Sequence, residues 1–175
     1  STNVEPVRSY VENCLKEIGK KAIKEVALHG GKINLNEGLN NPNNPNEVQY
    51  LNGTKINYLC LYEQSNGCIN QLLFREEIEN EISEEVKNKL KDCVDLDIFR
   101  NQGFSVEEGE KEEINSETKI SDNEVSLTLK YPLKLSKENL LLEINTYGTK
   151  INVPFGLLFK TSINILNSEL QELNF

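Results

Sequence analysis

Methionine is absent from this 175-residue chain, histidine occurs once, and no unbroken apolar run approaches the roughly 18 residues of a membrane span. Each gap removes a class of chemistry. A lone histidine, His29, rules out a multi-histidine metal site or a pair of histidine bases within the chain. It stands beside Gly30-Gly31 at the end of a helical pattern, where a protonated imidazole would complement the helix dipole, so capping is its expected role. There is no Cys-x-x-Cys redox pair, no phosphate-cradling lysine loop and no dinucleotide-binding glycine fingerprint, so no cofactor is expected. No nucleophile elbow accompanies His29, and the stretch Glu107, Glu108, Glu110, Glu112, Glu113 lacks the alternating Asp/Asn ligands of an EF-hand loop. That stretch reads as a solvated acidic turn. No catalytic residue and no metal ligand is expected. Methionine is missing even at position 1, and no basic-then-apolar leader is present. The expectation is a chain that starts downstream of a removed signal or anchor, its only link to a membrane.

Positive charge is also scarce. With 28 acidic residues against 19 basic, the net charge of -9 repels a phosphate backbone unless the basic groups share one face. Lys20, Lys21 and Lys24 fall on the polar side of the first helix and read as a solvated surface, so nucleic acid is not an expected partner.

What the chain does contain is four cysteines in a suggestive layout. Cys14 and Cys93 lie on the apolar stripes of two predicted helices, and Cys60 and Cys68 lie on either side of Asn66-Gly67. The pattern predicts two bridges, Cys14–Cys93 and Cys60–Cys68, and with them an oxidising compartment, because cytosolic thiols are kept reduced. The uneven spacing argues against a four-thiolate zinc site.

Val7, Tyr10, Val11, Cys14, Ile18, Ala22 and Val26 recur at three- and four-residue steps and predict a helix from Glu5 to Leu28, stopped by Gly30-Gly31. Residues Asn36 to Asn46, rich in asparagine and holding Pro42 and Pro45, predict a long surface loop. Asn52-Gly53 then predicts a primed hairpin turn between Val48–Leu51 and Thr54–Glu63. Apolar residues on both faces of the second run suggest a central strand. Ile78, Ile82, Val86, Leu90 and Cys93 predict a second helix from Phe74 to Val94, acidic at its start and lysine-rich at its end, as the helix dipole favours.

After Gly103 the apolar period shortens to two, through Val106, Ile120, Val125 to Tyr131, Leu140 to Ile144, and Ile151 to Val153. Ser121–Asn123 and Tyr147–Thr149 are read as meander turns. Pro154 opens a closing helix with Phe159, Ile163, Leu166, Leu170 and Leu173 on one stripe, expected to bury that stripe on its own sheet. The length fits one domain, 1–175. The fold predicted is α+β, an antiparallel sheet of hairpin plus meander with three helices packed mainly on one face.

Tyr10-Val11-Glu12-Asn13-Cys14-Leu15, the helix length to Gly30-Gly31, the segment Leu90-Lys91-Asp92-Cys93 and the later Tyr131-Pro132-Leu133 resemble a recurrent, uncharacterised extracytoplasmic domain of archaeal envelope proteins. Those proteins, found especially in small-genome archaea, carry one N-terminal membrane span followed by an external domain. Cys14 and Cys93 match the helix-borne cysteines of that family, and Cys60 and Cys68 look like an added local pair. His29 takes the place of a glutamine, and the span is not in this sequence. The family brings no reaction with it.

The function expected is therefore a noncatalytic extracytoplasmic cell-surface domain for structure or recognition. Its alternatives are an envelope hydrolase using carboxylates and a subunit of a surface filament. Its partner is expected to be an envelope protein, a glycan or copies of the chain itself. Asn40, Asn41, Asn43, Asn44 and Tyr50 are the candidate contact residues, on the long loop and the adjoining strand edge. Asn52, followed by Gly53 and Thr54, is a candidate N-glycosylation acceptor.

Overall fold

The apolar steps from Val7 to Val26 build helix α1, Glu5–Leu28, in a computed structural model that describes residues 5–33, 35, 49–57, 60–63, 67–70 and 74–172. Val11, Leu15, Ala22 and Val26 on its inner stripe are fully buried. Gly19 lies on the same stripe because the sheet comes so close there that a Cβ would collide with the Leu127 side chain. At the end of α1, Gly30 and Gly31 take φ of +71° and +98°, and the Gly31 N–H donates back to the Val26 carbonyl at 2.8 Å. Only glycine adopts this left-handed cap without steric cost, so the helix stops where the sequence indicates.

Strands β1 (Gln49–Leu51) and β2 (Thr54–Ile56) form one small hairpin, and β3 (Cys60–Glu63) and β4 (Gly67–Asn70) form another. Each is a two-stranded antiparallel sheet of its own. The long central strand expected from Thr54 to Glu63 is therefore not present: Asn57 is buried and its N–H goes to the His29 carbonyl at 2.9 Å, which takes the backbone out of the ladder.

Helix α2, Arg75–Cys93, buries Ile78, Ile82, Val86 and Leu90. At its start the Glu77 carboxylate accepts the Phe74 N–H at 2.6 Å, satisfying a donor that the helix leaves open. A single-turn helix α3, Asp97–Arg100, follows and buries Phe99.

The main sheet is built around β7, Glu124–Lys137, in which Val125, Leu127, Leu129, Tyr131, Leu133 and Leu135 alternate inward without a break. β8, Leu140–Asn152, pairs with it along one side. On the other side β6, Asn115–Ile120, pairs with the first half of β7, and β5, Ser105–Glu108, with the second half. All pairings are antiparallel. α1 packs on β7 and β8 and α2 on β6, covering the buried face. The result is the α+β fold expected, with β6, β7 and β8 as its meander.

Two strands run further than the sequence suggests. Tyr147–Thr149, read as a turn, continues β8: Tyr147 is buried opposite Leu129, and Gly148 simply pairs with Thr128. Pro132 does not end β7. The register shifts there, between Lys130 and Leu133, and a bulge accommodates a residue with no N–H to give. Its carbonyl still accepts the Gly109 N–H at 2.8 Å.

Helix α4, Phe155–Glu172, departs most from expectation. Phe155 is buried, but Phe159, Ile163 and Leu166 are only half-buried, and Leu158 and Ile165 are exposed. The inner face of the sheet is already covered by α1 and α2, and α4 buries Phe155 in its first turn while its later described turns are at most half-buried. Asp122 holds it there, its carbonyl accepting the Leu157 N–H and its carboxylate pairing with Lys160. That ion pair holds the Asp122 carboxyl below the usual aspartate range. Phe155→Ala is expected to cost about 3 kcal/mol. Leu158→Asn and Ile165→Asn should stay within about 0.5 kcal/mol of the parent. Urea unfolding distinguishes the two cases; a loss of several kcal/mol from either asparagine variant would mean that the face of α4 carrying Leu158 and Ile165 is buried.

Candidate functional site

The helix-borne cysteines meet. Cys14 of α1 and Cys93, the last residue of α2, are disulfide-bonded with their Cα atoms 5.7 Å apart, a spacing within the ordinary range for a bridge. The Tyr10 hydroxyl donates to the Cys93 carbonyl at 3.2 Å and accepts the Asp95 N–H at 2.9 Å, giving a partner to a carbonyl that the end of α2 leaves open. Its ring stands edge-on to Phe99, 5.6 Å between centroids, so a packed aromatic pair lies alongside the bridge. For the second predicted bridge, the backbone register sets Cys60 opposite Asn70 and Cys68 opposite Tyr62; the side chains of both cysteines lie outside the described residues.

α1 also closes the outer edge of β8. Arg8 Nη1 donates to the Thr146 carbonyl at 3.1 Å, and the Gly148 N–H donates to Glu12 Oε1 at 3.2 Å, with the two side chains 3.8 Å apart as an i,i+4 pair. Together they take the backbone groups that a neighbouring strand would otherwise claim. The spacing of Arg8 and Glu12 identifies an ion pair in the sequence; nothing in it names a strand edge more than 130 residues away. Glu12→Ala is expected to accelerate hydrogen exchange at the Gly148 amide and to lower stability by about 1 kcal/mol. Unchanged exchange at Gly148 would remove this role.

A second charged group missed by the sequence reading is Glu79, which is buried although Glu76, Glu77 and Glu84 on the same helix are exposed. Its carboxylate accepts the Ile120 N–H at 2.8 Å and lies 3.5 Å from Lys119 Nζ, raising that ammonium above the ordinary lysine range. One turn on, the Ser83 hydroxyl lies 2.8 Å from Thr118 Oγ1. These contacts fasten α2 to β6. They give the Glu79 carboxylate a backbone amide and a lysine as partners.

Two buried tyrosines of the main sheet, Tyr131 and Tyr147, lie with ring centroids 6.4 Å apart. Burial first, then the hydrogen bond that the Tyr131 hydroxyl donates to the Glu108 carboxylate at 2.8 Å, raises the Tyr131 phenol far above the tyrosine range. Burial does the same to Tyr147, whose hydroxyl has no hydrogen-bond partner among the described residues.

The acidic stretch is not a simple turn. Glu107 and Glu108 belong to β5, and Lys111–Glu113 forms a single 3-10 turn. Glu107, Glu110 and Glu113 face Lys130, Lys134 and Glu143 across an open groove on the outer face of the sheet. Lys134 and Glu143 are 3.5 Å apart, so the charges there are mixed. Among the described residues no group of three or more His, Cys, Asp or Glu is placed to hold a metal ion. A second groove of about 340 Å³ runs between the end of α1 and α4, lined by Ala27, Ile78, Phe159 and Ile163 and, among the described residues, by no charged side chain. No helix among the described residues is long and apolar enough to cross a membrane.

The residues singled out from the sequence are distributed as follows. Asn52 stands at the exposed tip of the β1–β2 hairpin. Tyr50 is in β1 opposite Lys55, with its side chain outside the described residues, and Asn40, Asn41, Asn43 and Asn44 lie outside them altogether. The His29 carbonyl accepts the Asn57 N–H at 2.9 Å, and its buried imidazole Nδ1 has no hydrogen-bond partner among the described residues, so no capping contact of the expected kind is made through that atom. Comparison with family models, with curated proteins and with solved structures finds no match to this chain.

Proposed function

We propose that this chain is a noncatalytic extracytoplasmic domain that serves structure or recognition at the cell surface. The observation that supports it is the Cys14–Cys93 bridge, joining two core helices across 79 residues of sequence. Such a bond persists where thiols are oxidised and is uncommon where glutathione and thioredoxin reduce them. The acidic groups bear on the noncatalytic part of the reading. Glu79 is bound to a backbone amide and a lysine, and Glu108 to the Tyr131 hydroxyl, so each has a structural partner. An envelope protein, a glycan or another copy of the chain is the partner class that fits this reading. Labelling of intact native cells with a membrane-impermeant amine reagent tests the location. Exposed lysines such as Lys119 and Lys150 should react before lysis. Labelling that appears only after lysis would place the domain inside.

A further inference from the structure

We infer that the side-chain amide of Asn52 is a site of N-linked glycosylation. The inference rests on the extracytoplasmic reading, since the lipid-linked donor is used outside the cytoplasm. The acceptor pattern needs an asparagine, any residue but proline, and then a hydroxyl, and Asn52, Gly53 and Thr54 supply it. The structure adds three observations that the pattern alone lacks.

Asn52 and Gly53 are the two central residues of a tight hairpin turn, closed by the Leu51–Thr54 pair, with φ of +49° and +82°. Positive φ at both positions is the primed turn that Asn-Gly favours, and it directs the tip away from its own strands. The tip is also clear of the described residues: a Cβ built on Gly53 would meet none of them within 4 Å, and Asn52 is exposed. An enzyme can therefore approach and a bulky glycan can remain. Finally, β1 and β2 form a sheet of only three residue pairs, separate from the main sheet. A two-stranded hairpin this short is marginal alone, so it can open to present an extended acceptor while the core stays folded.

The reaction takes a lipid-phosphate-linked oligosaccharide as co-substrate. Asn52 Nδ2 forms a bond to the anomeric carbon of the first sugar as the bond from that carbon to the phosphate oxygen breaks. The amide gives up one proton to a base, and the lipid phosphate leaves with the bonding electrons. The role of the Thr54 hydroxyl is recognition by the transferase.

Protein isolated from its native cells tests this by mass analysis of the tryptic peptide spanning residues 33–55. A sugar mass on Asn52 is expected, lost in Asn52→Gln and Thr54→Val and kept in Thr54→Ser. A fully bare wild-type Asn52 overturns the inference, as does a sugar mass that survives Asn52→Gln. Mapping Cys14 and Cys93 in the same preparation separates two kinds of failure. A bare Asn52 with the bridge intact removes the glycan alone; a bare Asn52 with both thiols free also removes the compartment on which it rests.

Discussion

Replacing Cys14 and Cys93 together by alanine is expected to lower the stability of the domain by about 4 to 5 kcal/mol, because the bridge closes a loop of 79 residues whose freedom the unfolded chain then regains. For a chain of this size the loss corresponds to a fall in Tm on the order of 10–20 °C. The fold itself should survive, since Val11, Leu15, Ile82, Val86 and the inward residues of β7 form a core that does not depend on the bridge. Far-ultraviolet circular dichroism should therefore be unchanged at low temperature while the thermal midpoint drops. A drop of less than about 3 °C would mean that packing already holds α1 against α2 in the unfolded reference state or that the bridge adds nothing to the core.

The second large effect is a loss of stability in alkali, set by Tyr131 and Tyr147. Burial keeps both phenols protonated in the folded protein, with Glu108 adding to the effect at Tyr131. In the unfolded chain they ionise near the ordinary tyrosine value of about 10. Below that pH both states hold the proton and stability is full. Above it the unfolded state releases protons that the folded state retains, so stability falls by about 1.4 kcal/mol per pH unit for each tyrosine. Over roughly two pH units the pair together rivals the disulfide. Tyr131→Phe and Tyr147→Phe should each remove about half of that slope, and they should differ at neutral pH. Tyr131→Phe breaks a hydrogen bond to a carboxylate and is expected to cost about 1.5 to 3 kcal/mol, whereas Tyr147→Phe removes an unpaired buried hydroxyl and should be neutral or stabilising. Urea denaturation across the alkaline range measures all three; a slope that neither substitution changes would assign it to other groups.

Much of this architecture is legible in the sequence, and the part that is not has identifiable causes. α1, α2 and the inward run of β7 are long and strictly periodic, so burial decides them without help from distant contacts. The Cys14–Cys93 pairing follows, because both cysteines fall on stripes that must face one core. Tyr147-Gly148-Thr149 was open to misreading because glycine signals a turn only when its neighbours are free, and here Tyr147 is buried against Leu129. Pro132 reads as a strand end because the bulge that admits it depends on register with β8. That the stripe of α4 is only half-buried follows from α1 and α2 already covering the sheet, and that is a property of the whole packing. The same limit applies to candidate sites. Asn52 is visible as a local pattern, while Arg8, Glu12 and Glu79 acquire their roles only from backbone groups brought near by the fold.

The most direct test of an extracytoplasmic, disulfide-clamped domain is the thiol state of Cys14 and Cys93 in living cells. Native cells are treated with a permeant alkylating reagent before lysis, and the protein is digested without reductant and mapped by mass spectrometry. A Cys14–Cys93 cross-linked peptide with neither residue alkylated is the expected result. Recovery of both cysteines in alkylated form would contradict the account, since it would place the chain in a reducing compartment and leave α1 and α2 held by packing alone.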